Sequence, residues 1–193
     1  MKKWGIVRYI TILFLLASVL SISLVGWSED GFRLSIRASA RIAVIFFCLA
    51  FGASSLHYFI KNDFTKWLLS NRKYLGVTFA VIHLIHLLTL VILQFTFHPI
   101  FEIAAGISLI GGGLAYFFTI GMLITSFTQY KFLLPGKAWS IFHTMGGYWI
   151  WFIFVRTYSR AIFREEYTLM PLWIMLIVVI LLRIIKRILM LVK

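Results

Sequence analysis

The sequence predicts an all-α integral membrane protein: one bundle of six transmembrane helices with both termini in the cytoplasm. Three observations carry that expectation. Of the 193 residues, 62% are hydrophobic, and the mean hydropathy is +0.97. Charged side chains make up 13% of the chain, too few to cover the surface of a soluble domain of this length. The apolar residues fall into six runs, each near the ~20 residues that a spanning helix needs. No run alternates strictly between apolar and polar residues, as a barrel strand would.

The first run, 9–27, follows Met1-Lys2-Lys3 and so resembles the start of a signal peptide. It is longer than a typical h-region and lacks an Ala-x-Ala cleavage site, so it reads as the first membrane helix. The second, 40–60, holds Cys48, the single cysteine. One thiol excludes an intrachain disulfide, a cysteine-based zinc site and an iron–sulfur cluster. The third, 74–96, carries His83 and His86, and the fourth, 101–124, carries five glycines. The fifth, 138–158, carries His143, Gly146, Gly147 and Arg156, and the sixth is 169–187. These glycines either let helices pack closely or leave room for a flat ligand. Short connections and the absence of a repeat make residues 1–193 a single domain.

Orientation follows from the basic residues. Thirteen Lys and Arg lie at the two termini and in the 61–73 and 128–137 connections, against six on the opposite side. The positive-inside rule places the thirteen in the cytoplasm. The net charge of +13 is distributed as topology signals between apolar runs rather than on one polar face, which excludes a nucleic-acid partner. The expected setting is a multi-pass protein of a bacterial inner membrane, surrounded by lipid.

Ionisable groups within lipid are costly and point to function. All five histidines lie in or beside the predicted spans: His57, His83, His86, His98 and His143. Inward-facing imidazoles on different helices suit axial ligation of heme iron, because a bundle core can hold a flat macrocycle. His83 and His86 share a helix face, which is weak evidence for iron by itself. Zinc lacks a suitable third ligand nearby. At 1.5 Å per residue, His143 lies about 7 Å inside the cytoplasmic boundary, His83 about 13 Å and His86 about 18 Å. Depth alone favours His83 as the partner of His143, with His57 near the same layer. Arg156 either pairs a heme propionate or snorkels to the outer surface. His98, beside Pro99 at an outer turn, reads as a solvated interfacial residue.

Two motifs resemble those of the ferric reductase-like transmembrane family, in particular its sulfoxide reductase heme-binding subunits. The first is Asn71-Arg72-Lys73-Tyr74-Leu75-Gly76, with His86 ten residues after the glycine. The second is Thr125-Ser126, then Gly136-Lys137-Ala138-Trp139, with His143 four residues after the tryptophan. The resemblance spans about residues 40–160 and implies b-type heme, one or two per chain, held by third- and fifth-helix histidines. Carried over, these are His86 and His143. Relatives have a second fifth-helix histidine where this chain has Arg156. Two-heme members of the wider superfamily have a further third-helix histidine where it has Arg72. The carried-over pair therefore belongs to two different ligand pairs, and the pairing among His86, His143 and His83 stays open.

The resemblance implies electron transfer from a cytoplasmic donor to an outer acceptor, a redox partner protein or ferric iron. No Gly-x-Gly-x-x-Gly fingerprint is present. The implied donor is a flavoprotein, a quinol, or FMN or FAD bound at the cytoplasmic face. The alternatives are a non-catalytic membrane protein of the same fold and a heme-free transporter whose histidines relay protons.

Overall fold

The computed structural model describes residues 3–98, 106–134 and 136–192, and over these the chain is helical. Six helices follow one another: α1 (Lys3–Val25), α2 (Glu29–Phe59), α3 (Asp63–Phe97), α4 (Gly106–Thr125), α5 (Gly136–Phe163) and α6 (Met170–Leu191). Short 3-10 segments precede α5 (Thr128–Leu133) and α6 (Tyr167–Leu169). The segment around Pro99 and Glu102, where the fourth span was expected to start, lies outside the described residues.

Both α2 and α3 begin well before their hydropathy runs do, because polar caps extend them. Ser28 caps α2 by accepting from the Gly31 amide, and Glu29 and Asp30 fill its first turn. Carboxylates there meet the positive end of the helix dipole. Asn62 and Thr65 form a reciprocal capping box at the start of α3. Arg33, Arg37, Lys66, Arg72 and Lys73, expected in connections, therefore sit on helices.

α1, α2, α3 and the stretch Tyr167–Leu191 are long and apolar enough to cross a membrane. α4 offers a shorter apolar stretch, Ile110–Thr125. The protein is membrane-embedded. α1 shows the consequence: Leu13, Leu16, Val19 and Leu24 are more than 60% exposed, a surface suited to lipid and not to water.

Contacts define an up-and-down order. Ser39 of α2 meets His86 of α3, while Arg72 meets Ala50, so these two helices run antiparallel. α4 and α5 are antiparallel through Thr125 with His143 and Gly111 with Trp149. Trp151 donates to the Leu176 carbonyl and Trp173 to the Ser159 hydroxyl, pairing α5 with α6 in the same sense. Trp4 stacks near Tyr74 and Phe127, which brings the start of α1 to the end of the bundle where α3 begins and α4 ends. The end of α6 reaches that same end through Lys186 and Ser54. The start of α1, the end of α6 and the basic residues Arg72, Lys73, Arg183 and Lys186 thus share one end, the basic end.

Without water to drive association, helices in lipid approach through small residues and fitted side chains. The buried face of α2 includes Ser35, Ser39, Ala43, Gly52 and Ala53. At α4–α5 the fit is reciprocal. A Cβ on Gly121 would come within 2.6 Å of the Phe142 ring, and one on Gly146 within 2.9 Å of the Phe118 ring and 3.1 Å of its Cβ. For these two glycines the packing explanation holds. Phe47, Phe51, Phe79 and Phe154 fill the centre, with Phe47 5.1–5.5 Å from each of the other three rings.

Thr65 ties the α2–α3 turn together. Its hydroxyl donates to the Ile60 carbonyl at 2.5 Å and accepts from His57 Nδ1 at 3.0 Å, and the residue is 1% exposed. Thr65→Val should lower unfolding stability by about 1–3 kcal/mol, measured by thermal or denaturant unfolding in detergent. Thr157→Val, which removes an exposed hydroxyl bonded to its own helix, should change little.

Candidate functional site: a basic, aromatic cavity at one end of the bundle

A cavity of about 550 Å³ opens among α2, α3, α4, α5 and α6 at the basic end. That size suits a small organic ligand or cofactor. Its apolar walls are mainly Phe47, Phe51, Phe79 and Trp139, and its polar groups include His143, Thr125, Arg72, Lys73 and Arg183. No carboxylate lines it among the described residues.

The cations are held by backbone instead. Arg72 Nε donates to the Ala50 carbonyl at 3.1 Å, and Arg183 Nη1 donates to the Phe51 carbonyl at 2.6 Å. Two guanidinium groups from different helices therefore sit on adjacent carbonyls of α2. Arg183 also lies over the Phe51 ring, 4.0 Å from its centroid, with Tyr148 at 5.2 Å. Its Nε is buried and has no hydrogen-bond partner. Carbonyl dipoles and ring faces offset part of the cost of a cation in this setting but leave its net charge unneutralised.

His143 stands on the second turn of α5, and Thr125 ends α4. The Thr125 hydroxyl donates to the Gly121 carbonyl at 2.7 Å, so it accepts from His143 Nε2–H at 2.9 Å. Trp139, one turn earlier, stacks on the imidazole at 4.0 Å, and its indole N–H donates to the Thr125 carbonyl. The motif Gly136-Lys137-Ala138-Trp139 with His143 is thus a local unit that fixes the ring at the cavity wall.

His83, His86, His57 and Arg156 do not line this cavity. His86 lies nearer the opposite end, where its Nδ1 reaches Ser39 Oγ at 2.9 Å and the Ile36 carbonyl at 3.1 Å. A carbonyl only accepts, and the Ser39 proton goes to Ile36, so His86 carries its proton on Nδ1 and presents the Nε2 lone pair. His83 is 8% exposed and stacked between neighbours, with Tyr116 at 4.5 Å, Phe79 at 5.3 Å and His86 at 5.7 Å. Its Nδ1 is buried without a partner. Phe79 is shared: one face of the ring's surroundings is the cavity, and another is His83. His57 belongs to the α2–α3 turn through Thr65. Arg156 is half-buried on α5, thirteen residues beyond His143, or about 20 Å along the axis.

The histidines are therefore at four places: His143 in the cavity, His83 with His86 deeper in the bundle, His57 at a turn, and His98 at the C-cap of α3. His143 faces the same space as Arg72 and not that of His86. In the sequence, Arg183 reads as a topology signal, and Lys73 as a topology signal within the first of the two motifs. The signal available was that Arg183 interrupts the apolar run of the sixth helix. No family model, curated protein or solved structure matches this chain.

The tautomers are checkable. In heme-free protein labelled with ¹⁵N-histidine, His86 should be protonated at Nδ1 and His143 at Nε2. The reverse pattern at either ring would contradict these hydrogen-bond assignments.

Proposed function

We propose that this protein is a six-span membrane electron-transfer subunit that holds one b-type heme in the basic-end cavity, with its termini on the cytoplasmic side. The observation that carries the proposal is one cavity that combines an imidazole, aromatic walls and three cations with no lining carboxylate among the described residues. Heme b has the complementary make-up: a flat apolar body, two carboxylates and an iron that binds imidazole. The donor set fits such a group. Arg72, Lys73 and Arg183 would hold the propionates, and His143 would be the axial ligand. Heme iron supplies one-electron chemistry by alternating between its ferric and ferrous forms.

The remaining work falls to the chain. Trp139 and Thr125 orient the His143 ring, and ligation through Nε2 requires the Thr125 hydroxyl to release it. Phe47, Phe51 and Phe79 exclude water from the apolar side. No second histidine lines the cavity among the described residues, so the reading favours a single axial imidazole over the paired imidazoles that the family resemblance implies. His57, His83, His86 and Arg156, expected as cofactor residues, would not hold this group, since none of them lines the cavity. The donor is proposed to be a cytoplasmic flavoprotein, a quinol or a bound flavin, and the acceptor an extracytoplasmic redox partner. The proposed location is a bacterial inner membrane.

The competing reading, a protein of this fold without heme, draws on the engagement of His143 Nε2 by Thr125. There the Trp139–His143–Thr125 unit would only clamp α4 to α5.

Protein purified from heme-replete cells should carry about one heme per chain in a pyridine hemochrome assay, with a high-spin ferrous spectrum. His143→Ala should abolish binding or shift the spectrum, while His86→Ala should leave heme content unchanged. Colourless wild-type protein would overturn the proposal. A low-spin spectrum lost in both variants would show that the two histidines share one iron. Separately, Arg72→Gln with Arg183→Gln should lower heme occupancy about tenfold or more, as expected for losing charge-assisted bonds.

A further inference from the structure

A second, smaller cavity of about 170 Å³ lies between the ends of α2 and α6, beside the first but facing outward. Ser54, Ser55, Tyr148, Arg183, Lys186 and Arg187 line it. Arg183, Lys186 and Arg187 fall at positions i, i+3 and i+4 of α6 and so share one face of the helix. Lys186 Nζ donates to the Ser54 carbonyl at 3.0 Å and lies 5.6 Å from the Tyr58 ring. Its remaining protons, the buried and unpartnered Nε of Arg183, and the exposed Arg187 side chain have no carboxylate among the lining residues. Ser54 and Ser55 also line this site.

The surroundings say what such a site meets. Ile184, Ile185, Ile188 and Leu189, on the other faces of the same two turns, are 42–54% exposed. That surface belongs against acyl chains. The basic face of α6 therefore stands at a boundary where lipid tails lie on one side and helix α2 on the other. Basic pockets between spanning helices at a membrane surface are built to take anionic headgroups. The volume admits one phosphate-sized group and not a macrocycle.

We propose that the α2–α6 cavity is a binding site for the phosphodiester headgroup of an anionic phospholipid, held by Arg183, Lys186, Arg187 and the hydroxyls of Ser54 and Ser55. Arg183 and Ser54 line both cavities, while Ser55, Tyr148, Lys186 and Arg187 line the smaller one alone, so the test is placed on Lys186 and Arg187. A lipid there would neutralise the outward side of Arg183 and pin α6 to α2.

The test is native mass spectrometry of the full-length protein released from detergent after incubation with phosphatidylglycerol or phosphatidylcholine. Wild-type protein should retain one phosphatidylglycerol in clear preference to phosphatidylcholine. Lys186→Gln with Arg187→Gln should reduce that preference about tenfold or more, since each cation near a membrane surface contributes measurably to anionic lipid binding. Arg187→Gln alone, at an exposed position, keeps the fold and should lose part of it. Equal retention of both lipids by wild-type protein would overturn the proposal, as would unchanged preference in the double variant with its melting temperature preserved. Competition by millimolar inorganic phosphate as effective as by phosphatidylglycerol would assign the site to free phosphate and overturn the lipid.

Discussion

The chemistry of the basic end follows from placing guanidinium groups in an apolar bundle with no carboxylate to meet them among the described residues that line the cavity. Arg72 and Arg183 come from different helices and converge on adjacent carbonyls, Ala50 and Phe51, of α2. A helix carbonyl already accepts one hydrogen bond within its helix and can accept a second, so α2 solvates both cations through its backbone. That arrangement satisfies hydrogen-bonding protons but leaves net charge. The charge is then available to an anion, and it sets the chemistry of both cavities that touch Arg183.

The packing around these guanidinium groups is close. Gly52 of α2 admits Val179 of α6, where an added Cβ would come within 3.1 Å, and this close approach brings Arg183 onto Phe51 one turn later. Gly147 similarly gives room to the Phe51 ring, within 3.0 Å of an added Cβ. Phe51 is thus wedged between α5 and the Arg183 side chain, and it forms part of the cavity wall. The reciprocal fit of Phe142 with Gly121 and Phe118 with Gly146 sets the distance between α4 and α5 on the other side. Between these two joints the His143 ring is stacked on Trp139 and bonded to Thr125.

Much of the fold was legible because lipid simplifies the pattern. An apolar run of spanning length must form a helix, so the six helices follow directly from the runs. Their lengths did not follow: Ser28, Asn62 and Thr65 carry α2 and α3 past the apolar runs, and capping adds residues that hydropathy does not see. The importance of His143 was visible in its spacing from Trp139. Its separation from His83 was not, because depth along a helix says nothing about which face a ring occupies. His83 turns toward Tyr116 and Phe79, and His143 toward Arg72 and Thr125, at depths that arithmetic could not separate. The basic residues were hardest to read. A lysine that sets topology and an arginine that lines a cavity are the same letters near the same helix end. The approach of α6 to α2 is what places Arg183 in the larger cavity; the sequence shows only that Arg183 interrupts an apolar run.

The central claim is that the basic-end cavity is occupied by a flat, anionic, imidazole-ligated group. Electron cryomicroscopy of the protein in lipid nanodiscs, with an antibody fragment as a fiducial, tests it most directly. The account predicts planar density between Phe79 and His143, continuous with the His143 ring and ending at Arg72 and Arg183. A cavity filled by an acyl chain, or closed by Arg72 and Arg183 turned outward to solvent, would contradict it.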